Sequence, residues 1–434
     1  MMVLVYSKLI TPRIKYVFNH ILKTRLGLEI DFTSDIDLFK KYNSFKISYN
    51  DIKLVNEFNI VPAQILFSSK IEDFEINVEN WDGLPIFFNT GNKDSFFFDI
   101  FGATFFLISR YEEYLLHLKD DFGRFDPSSS LAFKNRFLNK PIVDFWIDRF
   151  KSHLIKKFTK IKFKKHYFNL STRLEVPCTY EFKGKGLIRS VLGILRDFIK
   201  FDVYRLYTRT VVLLKLKKDP LDNYESWINT NKKAGIETSI FFLISDFSRY
   251  DRNLSFYSKS FIEKVKDVSD FCDVSLLSSY ISSEDSSFLM EEKKRLHSVI
   301  NKSVSSVRQH LLTLRIPKTY RNFIKLGFVN DYSLQYHDMP GFRASTSNPF
   351  LFYDLENEVE TKLVLNPVCI SDRVLKMYKK PILARQVIEE ITRYVKQVNG
   401  QMLIVLNNSI ISKESNNYQW RKMFDKYLIS HGKK

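Results

Sequence analysis

The chain has 434 residues, of which 44% are hydrophobic, with only 13 glycines and 12 prolines, and this composition excludes a disordered chain and leaves room for two or three folded domains. A formal net charge of +18 at pH 7 suits a phosphate-rich partner, either nucleic acid or an anionic membrane surface, and equally suits a solvated lysine-rich surface. Three cysteines lie far apart, at Cys178, Cys272 and Cys369, which excludes a disulfide framework and a cysteine metal site.

The N-terminus MMVLVYSKLITPRIKY contains an apolar run that is too short for a signal peptide and lacks a cleavage site of small residues. No stretch approaches the roughly 18 uninterrupted apolar residues of a transmembrane helix. We therefore expect a cytoplasmic protein.

Residues 1–160 predict a small α/β domain. Short β-like runs occur at Met2–Tyr6, Ala63–Phe67 and Leu84–Phe88. Asp99 is expected to cap a helix that runs to Tyr114, and the apolar spacing of this helix indicates packing in the core. The basic segment Lys156–Lys165 places the domain boundary near 160–166.

Residues 161–434 alternate strand-like and helical patterns, which is typical of a parallel sheet or barrel. The expected strands are Ile236–Ile244, Cys272–Leu277, Ser305–Leu311, Phe328–Leu334, Lys362–Leu365 and Met402–Leu406. The expected helices are Asp222–Lys233, Ser260–Phe271, Glu284–Asn301, Pro317–Leu326, Ile382–Val398 and Tyr418–Ile429. Asp222 and Pro317 suit helix N-termini, and Gly235, Gly327 and Gly400 suit left-handed C-caps.

Several motifs together resemble one family. They are HYFNLSTRLEVPCTYEFKGKG at His166–Gly186, RYEEY at Arg110–Tyr114, DFGRF at Asp121–Phe125, RQH at Arg308–His310, DYSLQY and GFRAST within Asp331–Thr346, and NPFLFYDLENEVE at Asn348–Glu360. In these the chain resembles the polysaccharide deacetylases, and more closely the two-domain deacetylase-like proteins of Bacteroidetes-type bacteria. The resemblance implies a distorted (β/α) barrel of polysaccharide-deacetylase type, preceded by the smaller α/β domain.

The resemblance also implies three chemical positions, and this chain departs from the family at each of them. Where the family has a metal-binding Asp, this chain has Pro177, and Glu175 occupies the position of the general base. Leu277 stands where a metal-binding His is implied, and Asn407 stands where a His general acid is implied. Proline and leucine offer a cation no lone pair, and an asparagine cannot cycle a proton near neutral pH.

The same resemblance implies the frame of a pocket that could still hold a sugar or an acidic group. Its expected members are Glu175, Tyr180, Arg308, Gln309, His310, Asp331, Tyr332, Arg343, Ser345 and Asp372. For Arg308 and Arg343, a structural ion pair is an open alternative, as is a buried structural role for His310. A rebuilt metal site from His310, His337 and Asp331 also stays open.

Residues 183–218 form a basic helical insertion. Leu187–Lys200 reads LIRSVLGILRDFIK, with its apolar residues on one helical face and its basic residues opposite. The insertion contains only two acidic residues, Asp197 and Asp202. It contains ten basic residues, namely Lys183, Lys185, Arg189, Arg196, Lys200, Arg205, Arg209, Lys215, Lys217 and Lys218. We expect the apolar face to pack on the barrel; binding to an anionic membrane is the alternative, and no nucleic-acid module is visible.

The leading hypothesis is a bacterial deacetylase-like pseudoenzyme that needs no cofactor and binds a glycan or a glycan-synthesis protein in cell-surface polysaccharide metabolism. One alternative is an active carbohydrate deacetylase with zinc or another divalent metal at a relocated site. A second alternative is a peripheral membrane scaffold. Fold resemblance alone does not decide among the three.

Overall fold

The structure, a computed structural model, describes residues 2–91, 96–412 and 415–432. Its first part contains a four-stranded parallel sheet of strand order β2-β1-β3-β4 and a short antiparallel pair, β5 and β6. The strands are β1 Met2–Tyr6, β2 Glu29–Thr33, β3 Phe45–Tyr49, β4 Phe58–Ile60, β5 Glu79–Trp81 and β6 Leu84–Ile86. The helices are α1 Pro12–Phe18, continued by a π-helical segment at Asn19–Arg25, α2 Ile36–Lys41, α3 Ile100–Ile108, α4 Leu131–Lys134 and α5 Ile142–Lys157.

The predictions for this part are confirmed only in places. The strand at Met2–Tyr6 has the expected bounds, and the strand expected at Leu84–Phe88 ends at Ile86. The strand expected at Ala63–Phe67 is wrong, because Gln64–Leu66 forms a 3₁₀ turn that buries Ile65 and Leu66 at successive positions. A strand would have turned these two side chains to opposite faces.

Asp99 caps α3 as expected. Its carboxylate accepts hydrogen bonds from the amides of Phe101 (3.1 Å) and Gly102 (3.0 Å), and all nine residues of α3 are buried. The helix is shorter than predicted, because Arg110 takes a left-handed conformation (φ 55°) and a 3₁₀ turn follows at Tyr111–Tyr114.

The second part is built on one sheet of nine strands. The strands are β7 Asn169–Val176, β8 Glu237–Leu243, β9 Asp273–Ser278, β10 Ser306–Gln309, β11 Asn330–Asp331, β12 Phe350–Asp354, β13 Val359–Leu365, β14 Ile370–Ser371 and β15 Gln401–Asn407. Their order is β12-β13-β11-β10-β9-β8-β7-β15-β14, and all neighbouring pairs are parallel except β12 with β13. The sequence analysis missed β12, which turns back on β13 as an antiparallel hairpin.

The strand pairing does not show a closed barrel. Strands β12 and β14 stand at the two ends of the sheet, and no ladder within the described ranges joins them. Two backbone bonds, from the amide of Val368 to the carbonyl of Leu334 (3.0 Å) and from the amide of Gly341 to the carbonyl of Cys369 (2.9 Å), link the approach to β14 with the segment after β11. The fold is therefore a mixed α/β arrangement around a nine-stranded sheet.

Ten helices accompany this sheet within the described residues. They are α6 Leu187–Ile199, α7 Val203–Leu213, α8 Tyr224–Lys233, α9 Lys259–Ser269, α10 Tyr280–Glu284, α11 Ser286–Ile300, α12 Lys318–Lys325, α13 Asp372–Lys376, α14 Pro381–Gln397 and α15 Ser415–His431. Gly235 and Gly327 have the expected positive φ, but at the end of α14 the left-handed residue is Asn399 (φ 48°) and not Gly400. Asp222 is not a cap either, because its carboxylate pairs with Lys264 at 2.9 Å.

The expectation that the basic insertion buries its apolar face is wrong. Helices α6 and α7 form a hairpin, and the apolar residues of α6 remain in solvent, with Ile188 78% and Ile199 72% exposed. The side of α6 that is turned to the protein carries Gly193 and the buried Asp197, so the inward contact is polar. None of the helices in the described ranges is long and apolar enough to cross a membrane.

Charged side chains join the first part of the chain to the large sheet. Glu113 accepts hydrogen bonds from Arg110 (2.9 Å) and from Arg343 (2.8 and 2.6 Å), and all three side chains are buried. Asp144 of α5 likewise accepts from Thr346 (3.0 Å) and Ser347 (2.8 Å). The motifs RYEEY and GFRAST thus meet at this interface, and the domain boundary at 160–166 stays a prediction.

Candidate functional site

A cavity of about 400 Å³ lies where the carboxyl ends of four strands meet. Strands β7, β10, β14 and β15 belong to the parallel part of the sheet, so their carboxyl ends share one edge. The residues that line the cavity are Glu175, Arg308, His310, Leu311, Leu312, His337, Ser371, Asp372, Arg373, Lys376, Asn407 and Ser409. Polar and charged side chains predominate, and crevices at this edge are where α/β folds place ligands.

Glu175 and Arg308 form the central ion pair of the cavity. The guanidinium of Arg308 is buried and donates from Nε to Glu175, from Nη1 to the Tyr332 carbonyl and from Nη2 to Gln335 Oε1 (3.0 Å). Every nitrogen of Arg308 is therefore engaged, which fixes the group rigidly. Glu175 keeps 19% of its side chain exposed in the cavity and is held as an acceptor of hydrogen bonds.

Asp372 and Asn407 form the next wall. The Asn407 amide donates to Asp372 Oδ1 (2.8 Å), and Lys376 lies 3.8 Å from Oδ2 of the same carboxylate. Burial raises the pKa of Asp372 to about 6, against the opposing charge of Lys376. The side-chain oxygen of Asn407 accepts from the Ser409 amide (2.9 Å) in a local turn.

His310 and Asp251 make the third feature. The ring nitrogen Nδ1 of His310 lies 3.0 Å from Oδ1 of Asp251, which also accepts from the Tyr280 amide (2.9 Å). Burial raises the pKa of Asp251, but the bonds from His310 and Tyr280 outweigh burial and hold it below its ordinary value. With Nδ1 donating to a carboxylate, the other ring nitrogen of a neutral imidazole is an acceptor.

Sequence reasoning missed Asp251. It stands in the long loop after β8, without a motif around it, and reaches His310 across 59 residues of sequence. The one available signal was its position in a loop after the carboxyl end of a predicted strand.

Of the expected pocket residues, Glu175, Arg308, His310 and Asp372 line the cavity, and so does Asn407, where the resemblance implied a general acid. Three others are held in the interior of the second part. Gln309 bonds to Ser278 (2.9 Å) and to the Ser279 carbonyl (2.7 Å), and Asp331 accepts from Ser333 (2.5 Å), with burial raising the Asp331 pKa to about 6. The ring of Tyr332 packs on Phe241 (5.4 Å between centroids) beneath the Arg173 guanidinium.

The remaining three expected residues are also structural. Arg343 belongs to the interface with Glu113, and Ser345 is buried with a positive φ of 52° while its carbonyl accepts from Val143. Tyr180 is buried beneath Lys183, with 4.9 Å from the ammonium to the ring centroid. For Arg343 the structural alternative is therefore the one that the geometry supports.

Among the described residues, no cluster of donors fits a metal ion. Leu277 is fully buried against Phe241, and Pro177 follows the end of β7 without lining the cavity. His310, His337 and Asp331 are not gathered into a site, and across the described ranges no three His, Cys, Asp or Glu side chains are close enough to hold an ion. His337 lies 3.3 Å from Asp338, and burial lowers its pKa.

Comparison with known proteins gives partial likenesses. A family model described as "Family of unknown function (DUF7033)" matches residues 3–159, and no curated protein is detectably similar in sequence. Among solved structures, one from Mycobacterium smegmatis, described as a polysaccharide deacetylase, is 10% identical, covers 62% of this chain and 86% of its own, and has a TM-score of 0.40. One from Pseudomonas aeruginosa PAO1 with the same description is 11% identical, covers 61% and 86%, and has a TM-score of 0.38. Likenesses this weak do not bear on the chemistry of the cavity.

Proposed function

We propose that the protein is a deacetylase-like binding protein that holds a carbohydrate in the cavity and does not carry out metal-dependent deacetylation. One observation carries the proposal: Glu175 is bound by the buried Arg308, and in the described part of the chain no group of His, Cys, Asp or Glu could hold a metal. The resemblance implies Glu175 as the general base and implies metal ligands where this chain has Pro177 and Leu277. A carboxylate fixed in this way is suited to accepting hydrogen bonds from hydroxyl or amide groups of a ligand.

The lining of the cavity also supports a sugar. Ser371, Asn407 and His310 offer neutral donors and acceptors, and Leu311 and Leu312 offer an apolar surface beside them. The exposed Arg373 and the half-buried Lys376 stand at the same cavity and would favour a sugar with an anionic group.

Calorimetric titration with N-acetylglucosamine oligomers and with uronic-acid oligomers of the same length, which carry carboxylates, tests the proposal. Glu175→Gln preserves an acceptor for Arg308 but removes the charge, and Arg373→Gln removes an exposed cation. We expect each change to weaken binding roughly tenfold, as loss of one charge-assisted hydrogen bond does. Arg393→Gln, at an exposed arginine of α14, is the control and should bind as the wild type does. No binding of either oligomer by the wild type would refute the proposal.

The contact between His310 and Asp251 favours a second function, which is hydrolysis of an acyl group without a metal. In this function His310, oriented by the buried Asp251, would take a proton from water at the cavity. Acetate release from acetylated oligosaccharides in the presence of a chelator, abolished by His310→Asn, would establish it. Absence of release at any pH between about 5 and 9 would remove it.

A further inference from the structure

The hairpin of α6 and α7 carries the largest run of exposed apolar side chains in the described chain. Ile188, Leu192, Leu195 and Ile199 follow one another at helical spacing on α6, and all of them are exposed. Phe198 is 67% exposed and Phe201, in the turn to α7, is 86% exposed. Contiguous apolar surface of this kind marks a site of interaction in a folded protein.

The hairpin is a folded element that is fixed at its base. The carboxylate of Asp219 accepts from the amides of Glu181 (2.8 Å), Phe182 (2.8 Å), Lys183 (3.0 Å) and Leu221 (3.0 Å), so both ends of the insertion are tied to one side chain. The apolar face is therefore displayed by an anchored structure.

Polar contacts hold the two helices together. The buried Asp197 of α6 accepts from Arg209 of α7 at 2.7 Å, and Arg196 also contacts it at 3.0 Å. Gly193 permits the approach, because a Cβ there would lie 2.4 Å from the Arg209 guanidinium. The exposed apolar residues of α6 take no part in this ion pair and are left for another surface.

The charge of the insertion indicates which kind of surface its apolar face binds. Lys185, Arg189, Lys200 and Lys215 lie along the hairpin, and all of them except the half-buried Lys185 are exposed. Cations beside an exposed apolar stripe complement anionic lipid headgroups above acyl chains. A second copy of the same basic face would meet it with like charge, which disfavours self-association through this surface.

We propose that the hairpin of α6 and α7 lies in the plane of an anionic bilayer surface, with its apolar face among the acyl chains. Helix α6 has 13 residues and is about 20 Å long, which is shorter than the roughly 30 Å hydrocarbon core, so the hairpin rests in the interface.

The bound orientation brings the candidate site toward the membrane. The hairpin follows the carboxyl end of β7, and the cavity lies at the same edge of the sheet. Ser409 lines both the candidate cavity and the pocket beside Arg205 at the base of the hairpin. Membrane binding does not depend on the proposed carbohydrate function, and each has its own readout.

Vesicle flotation of the full chain tests the proposal. We expect the wild type to float with vesicles of phosphatidylcholine and phosphatidylglycerol in equal parts and to float less with phosphatidylcholine alone or in high salt. The variant Leu192→Gln, Leu195→Gln, Phe198→Gln should lose at least roughly tenfold in partitioning. Lys200→Gln with Lys215→Gln should reduce binding to the anionic vesicles alone.

The control variants carry substitutions of the same kinds at exposed positions outside the hairpin. Leu116→Gln, Phe271→Gln, Ile382→Gln alters equally exposed apolar residues, and Lys266→Gln with Lys325→Gln removes two exposed cations; both should float as the wild type does. Because the changed side chains are in solvent, thermal unfolding should match the wild type in every variant. A wild type that floats with neither vesicle overturns the proposal, as does a hairpin variant that floats unchanged. If the wild type does not float but sediments as a dimer, and the hairpin variant sediments as a monomer, the apolar face binds a second copy of the chain and the membrane proposal is wrong.

Discussion

Glu292 on α11 is a buried carboxyl group next to the candidate site. Its Oε2 accepts from the Ser279 amide at 3.1 Å, and its Oε1 has no hydrogen-bond partner in the described structure. Burial raises the pKa of Glu292 to about 8, which the nearby Asp251 supports and Arg295 opposes. The carboxyl group is therefore neutral in the folded protein at neutral pH.

This state predicts a specific dependence of stability on pH. The folded pKa lies above the ordinary value of 4.5, so the folded state retains a proton that the unfolded state releases, and stability falls as pH rises from about 4.5 to about 8. Glu292→Gln mimics the neutral acid and should be more stable than the wild type near pH 8 by about 1–4 kcal/mol, with little difference near pH 4.5. Urea unfolding at the two pH values measures this.

The exposed neighbour Glu291 provides the control. Glu291→Gln removes the charge of an exposed side chain that pairs with Arg295 at 2.5 Å, and it should shift stability by less than about 1 kcal/mol at either pH. Equal shifts from the two substitutions would contradict the raised pKa.

At the same scale, the sequence could predict the site only in part. Asn407 directly follows the predicted strand Met402–Leu406, and the resemblance implied a strand end at Glu175, so the meeting of these two residues at one edge could be expected. Arg308 lay inside the predicted strand Ser305–Leu311, which gave its strand but not its place at the end. Asp251 could not be predicted, because its partner is set by a loop conformation that no local pattern encodes. Arg343 was expected in the pocket, but it is held 230 residues away in sequence by Glu113.

At the scale of elements, Asp219 organises the hairpin of α6 and α7. Its carboxylate accepts hydrogen bonds from four backbone amides at the base of an insertion of about 35 residues. These amides have no partner in a sheet, so the side chain satisfies them. The hairpin should therefore open locally when this carboxylate is lost, while the nine-stranded sheet remains folded.

Asp219→Ala tests this expectation. Trypsin should cleave the substituted protein within residues 183–218 at least roughly tenfold faster than the wild type, because about 1–3 kcal/mol of local bonding is lost. The thermal midpoint should change little. Asp148→Ala, at an exposed position on α5, should leave cleavage unchanged. Equal rates of cleavage within residues 183–218 in the two variants would argue against a local role for Asp219.

Helix patterns also show what periodicity leaves open. The amphipathic spacing of Leu187–Lys200 predicted α6 within one residue, yet it carried no information on what covers the apolar face. Burial on the sheet was expected because most such helices are packed in this way. In the structure, α6 instead turns Asp197 inward to pair with Arg209 and leaves its apolar face in solvent. The β12–β13 hairpin was missed because repeated parallel units were expected.

At the scale of the whole molecule, one series of polar contacts connects the interface with the cavity. Arg343 bonds to Glu113 on one side and to the Gln335 carbonyl (3.1 Å) on the other, and the Gln335 side chain accepts from Arg308 (3.0 Å). Burial raises the pKa of Glu113, but Arg343 and Arg110 outweigh burial and lower it to about 2.

Glu113→Gln should therefore destabilise the whole chain by about 3–5 kcal/mol, because it leaves two buried guanidinium groups without their common anion. Urea denaturation followed by tryptophan fluorescence measures the loss. Glu356→Gln, which breaks a half-exposed pair with Arg321 (2.9 Å), is the comparison and should cost less than about 1 kcal/mol. Similar losses in the two variants would show that the interface does not depend on Glu113.

Saturation-transfer NMR with tri-N-acetylchitotriose and added Zn²⁺ tests the proposed function most directly, because one spectrum reports both binding and turnover. We expect transfer from the wild type to the acetamido methyl groups, weaker transfer with Glu175→Gln, and no signal of free acetate. Free acetate that grows only with Zn²⁺, or equal transfer in both proteins, would contradict the proposed carbohydrate-binding role of this cavity.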